Sequence, residues 1–440
     1  MTRTFYIETF GCQMNKNDSE LMALSMTEEG FLPAAASEEA DIVIFNTCSV
    51  RDHAENRALS RMRGSRKQGR SRGALLVAAG CMAQRIGGDL LKRGTADMVV
   101  GPYQVPVIGR LVQSYLADPR ENTYLSQETA DFTGRINPKL CRTEDTPGWH
   151  RWVTITHGCE NYCSYCIVPR VRGRLISFPS AQVLDYIRGL AVTGIKEITL
   201  LGQNVNQYGT DSGDLPFYRL LEQAASIRGI ERINFLTSHP KDFSDEILDV
   251  IAGHSNISRS IHLPLQSGSD RILSLMNRRY TRADYLKIVE RISARLGTYS
   301  LSTDLIVGFP GETEKEFMDT LSAVETIRFD DAYNYAYSPR TGTPACALRE
   351  ELSRDEKIDR LQRLITLQRG ISRQRLSERI SSVEESIIER YSKKSGDSVM
   401  GRTYLNHVVI TKGSSDDFGK RLQIRIDSVQ GTTLQGTRIA

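Results

Sequence analysis

The chain lacks any run of eighteen apolar residues, and its first residues, MTRTFYIETFGCQMN, lack the apolar core of a secretory signal. These absences predict a cytoplasmic protein with no membrane span. Low-complexity tracts are also missing, and 40% hydrophobic with 25% charged residues is typical of globular proteins. A large charge excess is lacking too, because a net charge of +4 is too small to predict a nucleic-acid partner by itself. The 440 residues leave room for two or three domains.

Eight cysteines are expected to stay reduced in the cytoplasm, which favours metal binding or catalysis over disulfides. Three of them, Cys159, Cys163 and Cys166, are spaced C-x3-C-x2-C, and no cysteine follows in the next hundred residues. Three thiolates can hold three irons of a cubane 4Fe–4S cluster and leave the fourth iron open, as a catalytic metal requires. The alternative is a zinc site that His157 or a remote cysteine completes.

Strand-like and helix-like segments alternate through the first hundred residues. The strand-like runs are TFYIETF (4–10), DIVIFNT (41–47), ALLVAAG (74–80) and DMVVG (97–101). The segment NDSELMALSMTEEG (17–30) predicts a helix that starts at an N-cap and ends at Gly30. This alternation predicts an N-terminal open parallel α/β sheet.

A cysteine follows each of the first three predicted strands: Cys12, Cys48 and Cys81. The carboxyl ends of parallel strands line up along one edge of a sheet, so the three thiols are expected to meet there. Three buried structural cysteines are the alternative. Recurrence at three successive strand ends favours a second three-cysteine metal site. Cys141 and Cys346 receive no role.

A longer α/β alternation starts at Trp152. Its strand-like runs are WVTITHG, EITLLGQN, RINFLTSH, SIHLPLQSG, LSTDLIVGF and AYNYAYS. Six β/α units predict a partial (β/α)6 barrel, in which function lies at the carboxyl ends of the strands. The C-x3-C-x2-C cluster directly follows the first of them.

The sequence pattern changes near the end of the chain. A basic helix over 357–380 is followed by the strand-like runs VEESIIERY, MGRTYLNHVVITKG, RLQIRIDSVQ and TTLQGTRI. These predict a small, OB-like β-barrel, a class that often binds nucleic acid.

Two basic stretches flank the candidate metal sites. Seven basic residues and no acid lie between Arg57 and Arg72, and Arg170, Arg172 and Arg174 follow the cysteine cluster. A solvated helix face is the alternative for either stretch alone. Together they favour phosphate contacts with a polyanionic substrate, whose affinity would fall steeply with salt.

The cysteine motif at the end of the first barrel strand, with Tyr165 before its last cysteine, resembles the radical S-adenosylmethionine (SAM) superfamily. The stretches TFGCQMNKNDSE, NTCSVRDHAENRA, LPLQSGSDRILSLMNRRYTR and DLIVGFPGET are similar to the tRNA-modifying methylthiotransferases within it. The resemblance spans nearly the whole chain. It implies an enzyme, a transferase that converts N6-dimethylallyladenosine beside the anticodon, at position 37 of tRNA, to its 2-methylthio derivative.

The resemblance also implies cofactors and partners. Cys12, Cys48 and Cys81 would hold an auxiliary 4Fe–4S cluster that supplies sulfur, and Cys159, Cys163 and Cys166 a second cluster that binds SAM. One SAM would methylate the sulfur, and a second would give the radical that removes hydrogen from carbon 2 of the adenine. The expected partners are the tRNA anticodon loop, a flavodoxin- or ferredoxin-like electron donor, and proteins that supply sulfur or clusters. A monomer is expected.

Further SAM-contact candidates follow from the resemblance at the strand tips, with loop or turn geometry as the alternative for each. They are Tyr165, Gly202, Gln203, Asn204, Gln266, Ser267 and Gly308. Residues 202–204 depart from the Gly-Gly-Glu-like motif of many superfamily members. The expected organisation is an N-terminal domain with the auxiliary cluster over 1–118, a linker over 119–144, a radical SAM core over 145–375 and a TRAM-like RNA-binding domain over 376–440.

Rival functions remain within and outside this family. Related enzymes modify threonylcarbamoyladenosine in tRNA or an aspartate of a ribosomal protein, and FGCQMN, NTCSVR and QSGSD favour the dimethylallyl substrate. A non-catalytic iron–sulfur protein that binds RNA or transfers electrons is the alternative from another class. Such a protein would not explain why two cysteine sets each leave one iron of a cluster open.

Overall fold

The computed structural model describes residues 2–50, 52–69, 73–125, 148–393 and 397–439. Cys141, residues 126–144 of the expected linker and residues 70–72 of the first basic stretch lie outside these ranges. Within them, no helix combines the length and apolar character that crossing a bilayer requires.

The N-terminal unit is a six-stranded parallel sheet in the order β2-β1-β3-β4-β5-β6. Its strands are β1 (Thr4–Thr9), β2 (Leu32–Pro33), β3 (Ile42–Thr47), β4 (Leu75–Gly80), β5 (Met98–Val100) and β6 (Thr123–Tyr124). Its helices are α1 (Gln13–Glu28), α2 (Asp52–Gly69), α3 (Cys81–Lys92) and α4 (Ile108–Ala117). The four predicted strands and the parallel sheet are confirmed.

The central strands β3 and β4 are buried at every position. Ile42 and Ile44 of β3 join one apolar core, whereas Val43 and Phe45 join the core on the opposite face. Continuous apolar runs therefore form strands here because helices cover both faces of the sheet.

The start predicted for the first helix is wrong, because α1 begins at Gln13 rather than after an N-cap at Asn17. Asn17 and Asp18 are buried inside the helix, where they bond to Thr154 and Arg172 of the next unit. Polar side chains that resemble a capping signal serve here as contacts between units.

The second unit is a partial barrel of six parallel strands, as predicted. They are β7 (His150–Thr154), β10 (Glu197–Leu201), β11 (Arg232–Phe235), β12 (Ser260–His262), β13 (Ser300–Val307) and β14 (Asp331–Ala336), with a short hairpin of β8 (Thr156–His157) and β9 (Ile176–Ser177). A single bridge between Ile233 and Ile257 closes the gap between β11 and β12.

Five of the seven helices of this partial barrel share one large apolar core with the strands, whereas the two shortest contribute to smaller clusters. The seven are α5 (Val168–Val171), α6 (Ser180–Val192), α7 (Phe217–Ala225), α8 (Asp245–Gly253), α9 (Asp270–Leu275), α10 (Arg282–Leu296) and α11 (Glu314–Ile327). The loops after the strands are left at the carboxyl edge, where ligands of such barrels bind.

The third unit is a closed five-stranded barrel in the order β15-β16-β17-β19-β18. Its strands are β15 (Val383–Tyr391), β16 (Ser398–Thr403), β17 (Val408–Lys412), β18 (Arg421–Gln430) and β19 (Thr433–Arg438). Only β17 and β19 pair in parallel. This topology confirms the OB-like barrel predicted for the chain end.

Helix α12 (Arg354–Ser377) joins the two barrels. Its Leu364 and Ile371 belong to the core of the partial barrel, whereas Leu376 belongs to the core of the closed barrel. This basic helix therefore also carries an apolar stripe, which anchors it to the cores of both barrels.

We expect Leu364→Ala to destabilise the protein by about 2–5 kcal/mol, because it removes a fully buried side chain from a packed core. Ile358→Ala in the same helix is the control, since Ile358 is 48% exposed, and should change stability by no more than about 0.5 kcal/mol. Urea unfolding followed by circular dichroism measures both. Equal midpoints for the two variants would show that α12 is not anchored in the barrel core.

Candidate metal centre

The first set of cysteines, here called the auxiliary set, lies at one edge of the N-terminal sheet. Cys12 precedes the first residue of α1, Cys48 follows β3, and Cys81 opens α3. A hydrogen bond between the Cys48 and Cys12 thiols lowers the pKa of Cys12 to about 6, and the charges of Cys12 and Cys81 both act on Cys48. The predicted meeting of the three thiols at one edge is therefore what the fold produces.

A buried amide pair fixes the backbone around this set. Asn15 donates to the Asn46 side chain at 3.1 Å and to the Thr47 carbonyl at 2.9 Å. Asn46 donates in return to the Asn15 carbonyl at 2.7 Å. These bonds tie the first turn of α1, which carries Cys12, to the strand end that carries Cys48. Sequence reasoning missed both asparagines.

Glycines precede a cysteine in each set because the backbone there leaves no room for a side chain. Gly80, before Cys81, has a φ of +88°, and a Cβ would lie 2.6 Å from the Thr47 carbonyl oxygen. Gly158, before Cys159, has a φ of +74°, and a Cβ would lie 2.7 Å from the Arg172 carbonyl oxygen. A left-handed backbone with such close neighbours requires glycine.

The second set, here called the barrel set, comprises Cys159, Cys163 and Cys166 in the loop between β8 and α5. The Ser164 hydroxyl donates to the Leu275 carbonyl at 2.7 Å, and the Ser164 backbone N–H donates to the Met276 carbonyl at 3.0 Å. The cysteine loop is therefore held against the segment that follows α9.

Arg278 lies beneath this loop and is 4% exposed. Its guanidinium is 3.4 Å from Cys163 Sγ and 3.5 Å from the Tyr165 hydroxyl, and it donates to the Pro264 carbonyl at 2.8 Å. Sequence reasoning missed Arg278, because an arginine in NRRY has no signal that distinguishes it from a solvated one.

Burial raises the pKa of Cys159 to about 11 and also raises that of Cys166. Thiols in this position need a nearby positive charge to ionise, and metal ions supply it to coordinating cysteines. Three closely spaced thiols with a single arginine beside them therefore suit an iron cluster.

Several SAM-contact candidates present unpaired buried atoms within the described residues. These are Oε1 of Gln203, Oδ1 of Asn204 and Oε1 of Gln266. Asn204 is oriented by its amide, which donates to Asp242 at 2.7 Å. Gln266 has a φ of +73° at the tip after β12. Buried polar atoms without partners are costly, so these three indicate a polar ligand at the carboxyl edge of the barrel.

The remaining candidates differ in their surroundings. Tyr165 packs with Phe309 and Tyr337 in a small apolar cluster next to the barrel set. Gly202 lies against Thr156, where a Cβ would clash. The Ser267 hydroxyl lies 3.3 Å from that of Thr320 and accepts a bond within its own loop.

Gly308 has its backbone N–H bonded to Glu312 at 2.7 Å, and Glu312 forms a buried ion pair with Arg360. The local bonds of Gly308 and of Ser267 fit the loop-geometry alternative.

The two sets approach each other at α5. Cys81 of the auxiliary set packs with Ile167 and Val171, which lie in and beside α5, immediately after Cys166. The two carboxyl edges, one of the N-terminal sheet and one of the partial barrel, therefore face each other with the cysteines between them.

The phosphate-contact prediction for Arg172 is wrong, because Arg172 is 3% exposed. Its guanidinium donates to Asp18 at 2.6 Å and to Cys81 Sγ at 3.3 Å. Arg170 and Arg174 are exposed, and Arg174 pairs with Glu160. In the first basic stretch Arg61 pairs with Glu8 and Arg66 with Asp97.

The described residues give no support to the zinc alternative. Within the part of the chain that the structure describes, no three His, Cys, Asp or Glu side chains are close enough to share one metal ion. The His157 ring packs edge-on against Tyr103, with centroids 5.0 Å apart. Thiols that hold a cubane bind different irons and need more space than the ligands of one zinc ion.

Comparison with known proteins agrees with this arrangement. Residues 4–101 match the uncharacterized protein family UPF0004, and residues 153–324 match the radical SAM superfamily. The tRNA-2-methylthio-N6-dimethylallyladenosine synthase of Thermotoga petrophila is 42% identical over 434 residues, 98% of this chain and 96% of its own length. The synthase of the same description from Geotalea uraniireducens is 42% identical over 99% of each chain.

Among solved structures, the radical SAM methyltransferase TsrM from Kitasatospora setae superposes with a TM-score of 0.59 at 14% identity. The match covers 79% of this chain and 77% of that one. At this identity the likeness concerns the fold. The full-length similarity to curated relatives goes further: the chain belongs to the tRNA-2-methylthio-N6-dimethylallyladenosine synthase family of the radical SAM superfamily.

Proposed function

We propose that this protein is a radical SAM methylthiotransferase that converts N6-dimethylallyladenosine to 2-methylthio-N6-dimethylallyladenosine at position 37 of tRNA. The observation that carries the proposal is the pair of three-cysteine sets facing each other across α5, in a chain that matches synthases of this description over nearly its full length. Each set has three thiols, which leaves one iron of a cubane open for a ligand from outside the protein.

The cofactors are two 4Fe–4S clusters and SAM. A radical SAM barrel takes one cluster and SAM, and the proposal assigns these to the barrel set. It assigns the second cluster to Cys12, Cys48 and Cys81. When bound, these groups supply the electron, the methyl group, the sulfur and the radical that the conversion requires.

The protein's own residues would orient SAM and keep water away from it. Gln203, Asn204 and Gln266 offer unpaired oxygens to the amino group of SAM, while Tyr165 and Phe309 offer apolar surface beside the barrel set. Ser267, Gly202 and Gly308 shape the loops around this pocket. Arg278 places a positive charge 3.4 Å from Cys163 Sγ, where it would lie beside the cluster as a contact outside its cysteine ligands.

The proposed substrate partner is the anticodon loop of tRNA, with its base splayed out toward the cysteines. Exposed basic residues of α2, Arg170 and the closed barrel would bind its phosphates. That barrel, as a TRAM-like domain over 376–440, joins a radical SAM core over 145–375, a linker over 119–144 and the auxiliary-cluster domain over 1–118. We further propose a cytoplasmic monomer that uses a flavodoxin- or ferredoxin-like electron donor and external proteins for sulfur or cluster supply.

Mass spectrometry of tRNA nucleosides tests the substrate. A strain that lacks this gene should lose 2-methylthio-N6-dimethylallyladenosine and accumulate the unthiolated precursor, and a plasmid copy should restore the product. Loss of a methylthio-threonylcarbamoyl nucleoside instead would identify the related tRNA enzyme. An unchanged nucleoside profile would leave the iron–sulfur binding alternative.

Alanine substitution of each cysteine set tests which set binds SAM and which supplies sulfur. Replacing Cys159, Cys163 and Cys166 should abolish reductive cleavage of SAM, whereas replacing Cys12, Cys48 and Cys81 should preserve cleavage and abolish product. Each variant should retain about half of the iron of the reconstituted protein, since each set holds one of two clusters. Iron assay and quantification of 5′-deoxyadenosine measure these outcomes under anaerobic conditions.

Cys346→Ala is the matched control, because Cys346 is exposed and belongs to neither set. It should keep full iron content, SAM cleavage and product formation. SAM cleavage that survives loss of the barrel set would refute the assignment of the SAM-binding cluster.

A further inference from the structure

We propose that Arg172 is a positioning residue for the auxiliary cluster, which its bond to Cys81 Sγ anchors and whose reduction potential its positive charge raises. The inference rests on the proposed function, since it concerns a cluster that this function assigns to Cys12, Cys48 and Cys81. It gives a role to a residue that is buried beside the metal centre and lies outside both sets of ligands.

The first argument is the placement of the charge. The guanidinium Nε lies 3.3 Å from Cys81 Sγ, and Nη2 lies 2.6 Å from Asp18 Oδ2. Arg172 is 3% exposed and the Asp18 side chain is fully buried. A buried arginine is expensive to desolvate unless anionic groups surround it. The Asp18 carboxylate and the Cys81 sulfur both lie within hydrogen-bond distance of this guanidinium, so its charge is placed directly beside one of the proposed cluster ligands.

The second argument is the effect of such a bond on a metal cluster. Hydrogen bonds to the cysteine sulfurs and the net charge nearby set the reduction potential of iron–sulfur clusters. A guanidinium that donates to sulfur stabilises the more negative, reduced state. Asp18 opposes this effect, because its carboxylate adds negative charge on the far side of Arg172.

The third argument is that Arg172 lies in a segment that contacts both sets. The backbone N–H of Cys159 donates to the carbonyl of the next residue, Gly173, at 3.2 Å, and the Tyr103 hydroxyl of the N-terminal unit donates to the Arg172 carbonyl at 3.0 Å. Arg172 is also joined by α5 to Cys166, six positions earlier. The segment is therefore bonded to the barrel set at Gly173 and to the auxiliary set through the Arg172 side chain.

The test is a redox titration of the auxiliary cluster, followed by electron paramagnetic resonance. The full chain with Cys159, Cys163 and Cys166 replaced by alanine serves as the parent, since it isolates the auxiliary signal. Arg172→Met should shift the midpoint to a more negative potential, because the reduced state loses its positive neighbour. Asp18→Asn should shift it in the positive direction, and Arg172→Lys should stay closer to the parent than Arg172→Met.

The matched control is Arg188→Met, which deletes the same charge from an exposed ion pair on α6 and should leave the midpoint unchanged. If Arg172→Met fails to assemble a cluster, Asp18→Asn and Arg172→Lys test the inference instead. The midpoint potential of Asp18→Asn must then lie above that of the parent and above that of Arg172→Lys. A purely structural contact would not give shifts of opposite sign.

Equal midpoints for the parent, Arg172→Met and Asp18→Asn would overturn the inference while leaving the proposed function intact. The proposed function fails differently: its parent protein would assemble no cluster at Cys12, Cys48 and Cys81, and no signal would be seen in any variant. The two failures are therefore distinguished by the parent alone.

Discussion

The buried contact of Arg172 with Asp18 and Cys81 joins the N-terminal sheet to the partial barrel beside both cysteine sets. A buried arginine and a buried aspartate lose the solvation that each has in water, and their mutual contact and the Cys81 sulfur offset part of this cost. The interface must therefore close tightly enough to exclude water. Packing of Cys81 against Ile167 and Val171 provides that closure at the same place.

The relative placement of the sheet and the partial barrel depends on this closely packed interface. Each sheet has three cysteines at or beyond its carboxyl edge. The two sets can take part in one reaction only when these edges face each other. Helix α1 contributes to this alignment, since its Asn17 accepts a bond from Thr154 of the first barrel strand at 2.7 Å. Helix α12 extends the rigid body to the closed barrel through Leu364 and Leu376. The result is an edge-to-edge arrangement of the two cysteine sets with a closed five-stranded barrel attached.

Much of this could be predicted from the sequence, because strand ends are marked by local patterns. Apolar runs followed by Gly-Cys or Thr-Cys predict that Cys12, Cys48 and Cys81 lie at one edge of the sheet. Apolar, strand-like runs likewise predict the six barrel strands and the final β-barrel. Side-chain burial was not predictable. Arg172 has the same local sequence character as the exposed Arg170 and Arg174, and only the docking of α1 and α3 distinguishes it.

Electron paramagnetic resonance of the fully reduced, reconstituted protein tests most directly whether the two sets form one centre. Two paramagnetic clusters whose ligands meet at the same short helix would interact magnetically. The spectrum of the complete protein should therefore differ from the sum of the spectra of the two triple-cysteine variants, with broadened or split lines that neither variant shows. A spectrum equal to that sum would contradict the face-to-face arrangement of the auxiliary and barrel sets.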